Sequence, residues 1–328
     1  MHKFLLVMLL VSPLFAWAKQ CESNYPASAL SQGTKPNIHP GVNFVEPPYA
    51  GFDPCNGSVD IKINDRSDTF VVVLHGGGGL DPATTGVGKR FEKAGFSVLM
   101  FDAFKMNKIY RDGVFWASTV HAGSTGRMIY FSGLTSIKWL EKNHPERSKK
   151  IIVYGLSMGG TAAVHLAATE GLESLQMVLA EGPGDAGIGF PNQLSKPVHV
   201  FYGALDNFGG STEDEFLWKR RSPCLWNSPI YNMPAANTAK CNYSTWTRGD
   251  RGQTVEEWVA EQKNKNADIS LKFIDGASHA IFNGRDINSL VRATPSGIKL
   301  YWTTGAKPGV ADKLFDDLLT VIRLDKKS

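Results

Sequence analysis

The sequence predicts an α/β domain with a doubly wound, mostly parallel sheet flanked by helices. Short apolar runs rich in Val and Ile recur along the chain, and several of them end in Gly, His or Asp. Unbroken apolar runs are typical of strands buried on both faces of a parallel sheet. Helical patterns alternate with these runs, as such a domain requires. The predicted strands are 69–74, 97–101, 151–154, 177–180, 198–202 and 269–274.

Three segments between or after these strands carry helical patterns. Residues 127–142 end at a His144–Pro145 stop, because proline cannot continue a helix. The small residues of 161–168 predict the start of another helix. Near the end of the chain one apolar stripe recurs at helical spacing. It consists of Val310, Leu314, Phe315, Leu318, Leu319 and Ile322.

The first 18 residues have the pattern of a secretory signal. His2 and Lys3 precede an apolar run over 4–15, and the small-residue pattern Ala16-Trp17-Ala18 predicts cleavage before Lys19. The run is shorter than the roughly 20 apolar residues that span a bilayer. We therefore expect an exported protein, periplasmic or secreted, without stable membrane insertion.

Two further segments interrupt the strand and helix pattern. Residues 19–57 are rich in Pro, Ser, Gly and Asn and are predicted to form an N-terminal arm before a main domain over 58–328. Residues 207–268 lie between two predicted strands and are too long for a simple crossover. This insertion contains Trp218, Trp226, Trp246 and Trp258. It is either a cap over a site or a surface excursion with a small core of its own.

The four cysteines predict two disulfide bonds, because an even number in an exported chain is typical of a disulfide framework. The pairing that we favour joins Cys21 to Cys55 and Cys224 to Cys241. No C-x-x-C pair is present, so neither a zinc site nor a redox site is expected. The formal net charge of +4 is too small to indicate nucleic acid as a partner.

The stretch "IIVYGLSMGG" (151–160) places Ser157 between glycines, directly after a predicted strand and before a predicted helix. This strand–turn–helix context is that of a nucleophile elbow. Gly155 and Gly159 would let neighbouring backbone pass without Cβ clashes. We therefore interpret Ser157 as a catalytic nucleophile.

A serine hydroxyl needs a base to take its proton. Of the three histidines after Ser157, His165 is two helical turns further on and points away, and His199 lies inside a strand, where burial beside the core is expected. His279 lies in a loop of small residues after the strand 269–274. Parallel sheets place their sites at this end of the strands, so His279 is the predicted base.

The acid that orients His279 is expected after another strand. Asp206 follows the strand 198–202 and is the residue that we favour. Glu181, at the end of the strand 177–180, is the main rival, because some hydrolases supply the acid one strand earlier.

The strand 69–74 ends in His75 and four glycines. A phosphate cradle is one explanation, but no Gly-Lys-Ser/Thr follows. The preferred one is an oxyanion hole, formed by the N–H groups of Met158 and of Gly76 or Gly77. His75 is expected to brace this loop rather than to transfer protons.

The chain resembles the α/β-hydrolase superfamily and, within it, the dienelactone hydrolase-like group. The resemblance rests on "VVVLHGGGGL" (71–80), "GFSVLMFDAF" (95–104), "VYGLSMGG" (153–160), "PVHVFYGALD" (197–206) and "KFIDGASHAIF" (272–282). It implies the α/β-hydrolase fold, with 207–268 as an inserted cap-like segment. The namesake enzymes use a cysteine nucleophile and a glutamate near the oxyanion strand, where this chain has Ser157 and glycine. Both departures favour serine esterase chemistry.

The leading hypothesis is an exported serine hydrolase that cleaves small-molecule carboxylic esters through an acyl-enzyme, without a metal or organic cofactor. A peptidase or an acyltransferase could use the same triad. A non-catalytic exported binding protein on a hydrolase fold is the third possibility.

Overall fold

The computed structural model describes residues 51–107, 122–183, 190–206, 255–293 and 299–325. The strands are β1 (Val59–Lys62), β2 (Thr69–Leu74), β3 (Ser97–Phe101), β4 (Lys150–Leu156), β5 (Leu175–Glu181), β6 (Val198–Gly203), β7 (Ile269–Ile274), β8 (Asn288–Ala293) and β9 (Lys299–Thr304). The helices are α1 (Pro82–Lys93), α2 (Ala103–Met106), α3 (Ala122–Asn143), α4 (Met158–Ala167), α5 (Val255–Asn264) and α6 (Val310–Asp325).

One sheet holds β1 to β7 in the order β1-β3-β2-β4-β5-β6-β7. Its neighbouring strands run parallel except β1, which pairs with β3 in the antiparallel sense. A separate antiparallel pair is formed by β8 and β9. This is the α/β-hydrolase fold, so the predicted fold class is confirmed.

Helices cover both faces of the sheet because its strands are apolar on both sides. On β2, Val71 and Val73 face the cluster that contains α1 and α6, and Phe70, Val72 and Leu74 face the cluster that contains α3, α4 and α5. The doubly wound arrangement buries the central strands β2 to β5 almost completely between two layers of helices. It leaves the carboxyl ends of β2, β4, β5, β6 and β7 together at one edge.

Helices α1 and α6 are tied to each other and to the loop after β7. Phe91 and Phe315 have ring centroids 5.0 Å apart. The Arg90 guanidinium lies 5.6 Å from the ring centroid of Phe282 and 5.9 Å from that of Phe315, and donates to Asp312 at 2.6 Å. The last helix therefore contacts the loop that carries His279.

The predicted strands agree with the structure, with β2, β3 and β7 matching residue for residue and the others extending further. The predicted helix 127–142 begins earlier, at Ala122, and ends at Asn143, before the predicted stop. The apolar stripe near the end of the chain forms α6. The sequence did not predict β1, α1 or the β8–β9 pair. β1 is a four-residue edge strand, and α1 contains Gly86 and Gly88.

The predicted insertion 207–268 is too long at its C-terminal end. Residues 255–264 form α5, and Trp258 is fully buried in the core of the main domain. Its indole N–H donates to the Pro191 carbonyl at 3.0 Å, and its ring stacks on Phe190 at 4.7 Å. Trp258 thus belongs to the main core rather than to a separate core of an insertion. Residues 207–254, with the predicted Cys224–Cys241 bond, lie outside the described residues.

The end of the predicted arm packs against the main domain. Phe52 is buried, with its ring centroid 6.0 Å from that of Phe101 and 5.3 Å from that of Trp139. Cys55 is disulfide-bonded. The predicted signal and Cys21 lie outside the described residues. Among the described helices, none has the length and apolar character needed to cross a membrane.

Replacing Trp258 tests whether α5 is part of the main domain. We expect Trp258→Ala to lower the free energy of unfolding of the whole domain by about 3–5 kcal/mol, because it leaves a large cavity in the core. Trp258→Phe keeps most of the apolar volume and loses the hydrogen bond, so a loss of about 1 kcal/mol is expected. Urea denaturation followed by circular dichroism measures both. An unchanged main transition in Trp258→Ala would contradict this placement.

Candidate active site

Ser157 occupies a sharp turn between β4 and α4. Its backbone has φ 57° and ψ −118°, a left-handed conformation that costs a residue with a side chain of the order of 1–3 kcal/mol. Two backbone hydrogen bonds hold it there: Ser157 N–H donates to the Glu181 carbonyl at 2.7 Å, and Thr161 N–H donates to the Ser157 carbonyl at 3.1 Å. The side chain of Ser157 is thereby presented at the carboxyl edge of the sheet.

Glycine is required on both sides of this turn. A Cβ at Gly155 would overlap the carbonyl oxygen of Gly159, and a Cβ at Gly159 would overlap the carbonyl oxygens of Leu74 and His75. The predicted steric reason for these two glycines is therefore confirmed. The close contact also fixes the distance between the turn at Ser157 and the end of β2.

Asp206 and His279 form a buried pair after the neighbouring strands β6 and β7. The Nδ1 of His279 lies 2.8 Å from Oδ2 of Asp206, and the two residues are 8% and 2% exposed. Two strands that are adjacent and parallel bring the residues after their ends together. The structure thus places the favoured acid, rather than Glu181, on the imidazole.

The pair lies beside the turn that carries Ser157. Gly182 has φ 52°, and a Cβ there would lie 3.3 Å from Oδ2 of Asp206 and 3.4 Å from the His279 ring. Gly182 directly follows Glu181, whose carbonyl accepts the Ser157 N–H. Ser157, Asp206 and His279 therefore all lie at one edge of the sheet, beside the backbone of Glu181 and Gly182. No sequence pattern singled out Gly182.

The glycine loop after β2 reaches the same turn. A Cβ at Gly76 would lie 3.2 Å from the Cβ of Ser157. Met158 is the first residue of α4, and the first N–H groups of a helix have no acceptor within it. The predicted oxyanion donors Met158 and Gly76 thus flank Ser157. Gly77 follows in the same turn, which is closed by the bond from Gly79 N–H to the Gly76 carbonyl.

His75 is fully buried and braces this loop. Its Nε2 accepts the Ala103 N–H at 2.9 Å, so the proton of the neutral ring is on Nδ1, which donates to the Gly76 carbonyl at 2.6 Å. These bonds join the loop after β2 to the segment after β3. The structure agrees with the expected bracing role.

Glu181 points into the apolar layer beneath the site. Its carboxyl group accepts the Ile281 N–H at 2.6 Å and a short hydrogen bond from the Tyr154 hydroxyl. Burial raises the pKa of Glu181 to about 7, against the opposing hydrogen bonds and the charge of His279. Glu181 was predicted from the sequence only as a rival acid, and its partner Tyr154 was not predicted, because it is spaced as an ordinary apolar strand residue.

The other two histidines lie away from this edge. His165 is buried on α4, with its ring 6.3 Å from that of Tyr130. His199 is only half-buried, and its Nδ1 lies 2.8 Å from the Ser270 hydroxyl. The expected core burial of His199 is wrong, because its side of β6 is only partly covered.

Electrostatics set the protonation of His279. Burial lowers its pKa, but the charge and hydrogen bond of Asp206, with the charges of Glu181 and Asp81, raise it above its usual value. The pair therefore stabilises the fold fully below about pH 6.5, and this contribution is lost as the pH rises through the folded-state pKa. Within the described ranges, no three His, Cys, Asp or Glu side chains cluster so as to hold a metal ion.

The sequence model of the dienelactone hydrolase family matches residues 61–221. This confirms the resemblance to that family over β1 to β6 and the segment after Asp206, and it supports hydrolase activity. The stretch around His279 lies beyond the match. No curated protein matches the sequence.

Solved structures of low sequence identity also resemble the chain. A putative alpha/beta hydrolase from Agrobacterium tumefaciens is 14% identical, with 82% of this chain and 91% of that chain covered and a TM-score of 0.47. A dienelactone hydrolase-like promiscuous phosphotriesterase from metagenomic libraries is 15% identical, with 81% and 88% covered and a TM-score of 0.46. A dienelactone hydrolase from Anabaena variabilis is 19% identical, with 70% and 87% covered and a TM-score of 0.44. At this level of similarity they say nothing about the substrate of this chain.

Removing the charge of Asp206 tests the electrostatic origin of the His279 pKa. We expect Asp206→Asn to lower that pKa, because the imidazolium loses its nearest counter-charge while the ring stays buried. Titration of the His279 Cε1 proton by NMR measures the change, with His279→Gln used to assign the signal. Asp60→Asn removes an exposed carboxylate paired with Lys62 and should leave the titration unchanged. Equal pKa values in Asp206→Asn and the parent would contradict the assigned cause.

Proposed function

We propose that this chain is an exported serine hydrolase that cleaves carboxylic esters through an acyl-enzyme intermediate. The observation that carries the proposal is that the Asp206–His279 pair and the strained turn at Ser157 both lie against the backbone of Glu181 and Gly182. These are the parts of a Ser–His–Asp triad, and they occur in the order Ser, Asp, His that is typical of this fold. The family match supports hydrolysis as the reaction class.

In the first half-reaction, the Ser157 hydroxyl oxygen attacks the ester carbonyl carbon and gives its proton to Nε2 of His279. Asp206 holds the Nδ1 proton, so that Nε2 carries no proton and can take that of the serine, and Asp206 stabilises the imidazolium that forms. The carbonyl oxygen becomes an oxyanion held by the N–H of Met158 and of Gly76 or Gly77. The tetrahedral intermediate collapses, the C–O bond to the alcohol breaks, and His279 returns the proton to the leaving oxygen.

In the second half-reaction, water takes the place of the alcohol. His279 removes a proton from water, and the hydroxide attacks the acyl carbon in the same oxyanion site. The bond to Ser157 breaks, and the serine oxygen recovers its proton from His279. The products are a carboxylic acid and an alcohol, and the enzyme returns to its first state without a cofactor.

The Ser157 hydroxyl, in place of the cysteine of the namesake enzymes, favours ordinary esters over the dienelactone reaction. A hydroxyl depends on its base for activation more than a thiol does. The buried acid behind His279 supplies that base with a counter-charge. A small-molecule ester is therefore the proposed substrate class.

Hydrolysis of a chromogenic ester panel, from acetyl to long-chain acyl, tests the reaction. We expect the exported form to hydrolyse some members, and Ser157→Ala to lower kcat by about 10⁴- to 10⁶-fold, because the remaining groups cannot form the acyl-enzyme. Ser270→Ala removes an exposed hydroxyl on β7 and serves as the matched control. Equal activity in Ser157→Ala and the parent would show that another group is the nucleophile.

Labelling by a fluorophosphonate separates the alternatives. A serine hydrolase of any bond specificity should be labelled at Ser157, whereas a binding protein on the same fold should resist. Addition of an alcohol to the ester assay separates hydrolysis from acyl transfer, because a transferase partitions the acyl group to the alcohol. Labelling without ester turnover would redirect the search toward amide substrates.

Export and the disulfide pairing are tested by one experiment. Expression with the leader intact in a bacterial host that exports to an oxidising periplasm should yield a chain that begins at Lys19. Peptide mapping of the unreduced protein by mass spectrometry should find Cys21 linked to Cys55 and Cys224 linked to Cys241. An uncleaved N-terminus would contradict the proposed export. A different pairing of the four cysteines would contradict the proposed disulfide bonds.

A further inference from the structure

Glu181 is a fully buried acid that the proposed mechanism does not use. It ends β5, between the strand that leads to Ser157 and the strand that leads to Asp206. Its side chain lies on the same face as Leu179 and Tyr154, among apolar groups of the layer formed by α1 and α6. A carboxyl group in such surroundings is costly unless it is hydrogen-bonded, so its presence needs a reason.

The carboxyl group is bonded to the loop that carries His279. We call residues 275–287 the histidine loop. Oε1 of Glu181 accepts the N–H of Ile281, two residues after His279, at 2.6 Å, and Oε2 is held by the Tyr154 hydroxyl. The carboxyl group thus links Tyr154 on β4 to the histidine loop.

The bond to Ile281 acts on a strained part of this loop. Ala280, directly after His279, has φ 56°, a left-handed conformation that costs about 1–2 kcal/mol for a residue other than glycine. The peptide group that follows Ala280 contains the Ile281 N–H. Holding that N–H therefore holds Ala280 in its strained conformation, and with it the direction in which His279 leaves the backbone.

The same residue also holds the nucleophile turn. The backbone carbonyl of Glu181 accepts the Ser157 N–H at 2.7 Å, and its side chain accepts the Ile281 N–H. One residue therefore fixes the Ser157 turn and the histidine loop relative to one rigid strand. Groups that must meet to within a fraction of an ångström benefit from such a shared support.

We propose that Glu181 is a positioning residue for His279, whose carboxyl group anchors the histidine loop through Ile281 and places a second negative charge behind the imidazole. The proposal deepens the proposed function and rests on it for the role of His279. It gives Glu181 a role different from that of Asp206, which contacts the imidazole itself.

The charge of Glu181 acts on His279 together with the other groups around it. Tyr154 on β4, Asp206 after β6 and His279 after β7 face the Glu181 carboxyl group, and Asp81 acts on both Tyr154 and His279. Burial raises the pKa of Glu181 to about 7, so the carboxyl group is neutral at acidic pH and charged above neutrality. In its charged form it raises the pKa of His279 and favours the imidazolium.

Glu181→Gln removes the charge and keeps an oxygen that can accept the Ile281 N–H. We expect the pKa of His279, titrated by NMR, to fall by about half a unit to one unit. Fluorophosphonate labelling of Ser157 at pH 8 should slow by about 3- to 10-fold, because the imidazolium formed in the reaction loses a neighbouring charge. The acid limb of the kcat/KM profile should move to lower pH by the same amount as the pKa.

Glu181→Ala removes the anchor as well as the charge. We expect labelling to slow by a further factor of about 10 to 100, because a displaced imidazole no longer meets the serine hydroxyl. The ratio of the labelling rates of Glu181→Gln and Glu181→Ala measures how much the hydrogen bond to Ile281 contributes. If Glu181→Ala does not fold, the titration and labelling of Glu181→Gln still test whether the charge of Glu181 acts on His279.

The matched control is Glu141→Gln. Glu141 is a partly buried carboxylate on α3, bonded to Lys138 and Ser174, and its replacement changes the net charge equally. It should leave the His279 titration and the labelling rate unchanged. An unchanged His279 pKa in Glu181→Gln, or an equal shift in Glu141→Gln, overturns the proposal. The titration needs no substrate, so an absence of labelling and ester turnover in the parent would count against the proposed function alone.

Discussion

Backbone contact between the turn at Ser157 and the end of β2 sets the positions of the other groups at the sheet edge. Gly159 permits this contact, which any side chain there would prevent, and Gly155 permits the close approach of Gly159. Ser157 keeps its left-handed conformation because its N–H and its carbonyl are both hydrogen-bonded to neighbouring backbone. A conformation of this cost persists only where the surroundings determine it fully. The central strands supply that rigidity, and the proposed catalytic residues lie in the turn and loops that follow them.

The two buried acids beside this turn differ through their surroundings. Asp206 lies against an imidazole that can carry the opposite charge, whereas Glu181 lies in an apolar layer with Tyr154 and a backbone N–H. In the two proposals, the same chemical group therefore orients a base in one place and supports a loop in the other. Environment, rather than residue type, assigns the role.

Local patterns carried enough information to predict β2 to β7 and the residues that follow them. They favoured Asp206 over Glu181 without excluding the latter, because both residues follow or end strands and only the packing shows which carboxyl group reaches His279. The position of α5 was also hidden, since Trp258 contacts Phe190 and Pro191, which are distant in sequence. β1 was not predicted because its four residues, three half-buried and one exposed, show no clear periodicity.

Arg90 lies over the rings of Phe282 and Phe315, and these contacts form in a sequence that the order of synthesis sets. Synthesis proceeds from the N-terminus, so Ser157 and Asp206 emerge before the histidine loop, and the loop emerges before the helix that holds it. In the proposed mechanism, the nucleophile is therefore synthesised before the loop that carries its base. That loop gains its ring contact between Phe282 and Phe315 only after α6 has been synthesised.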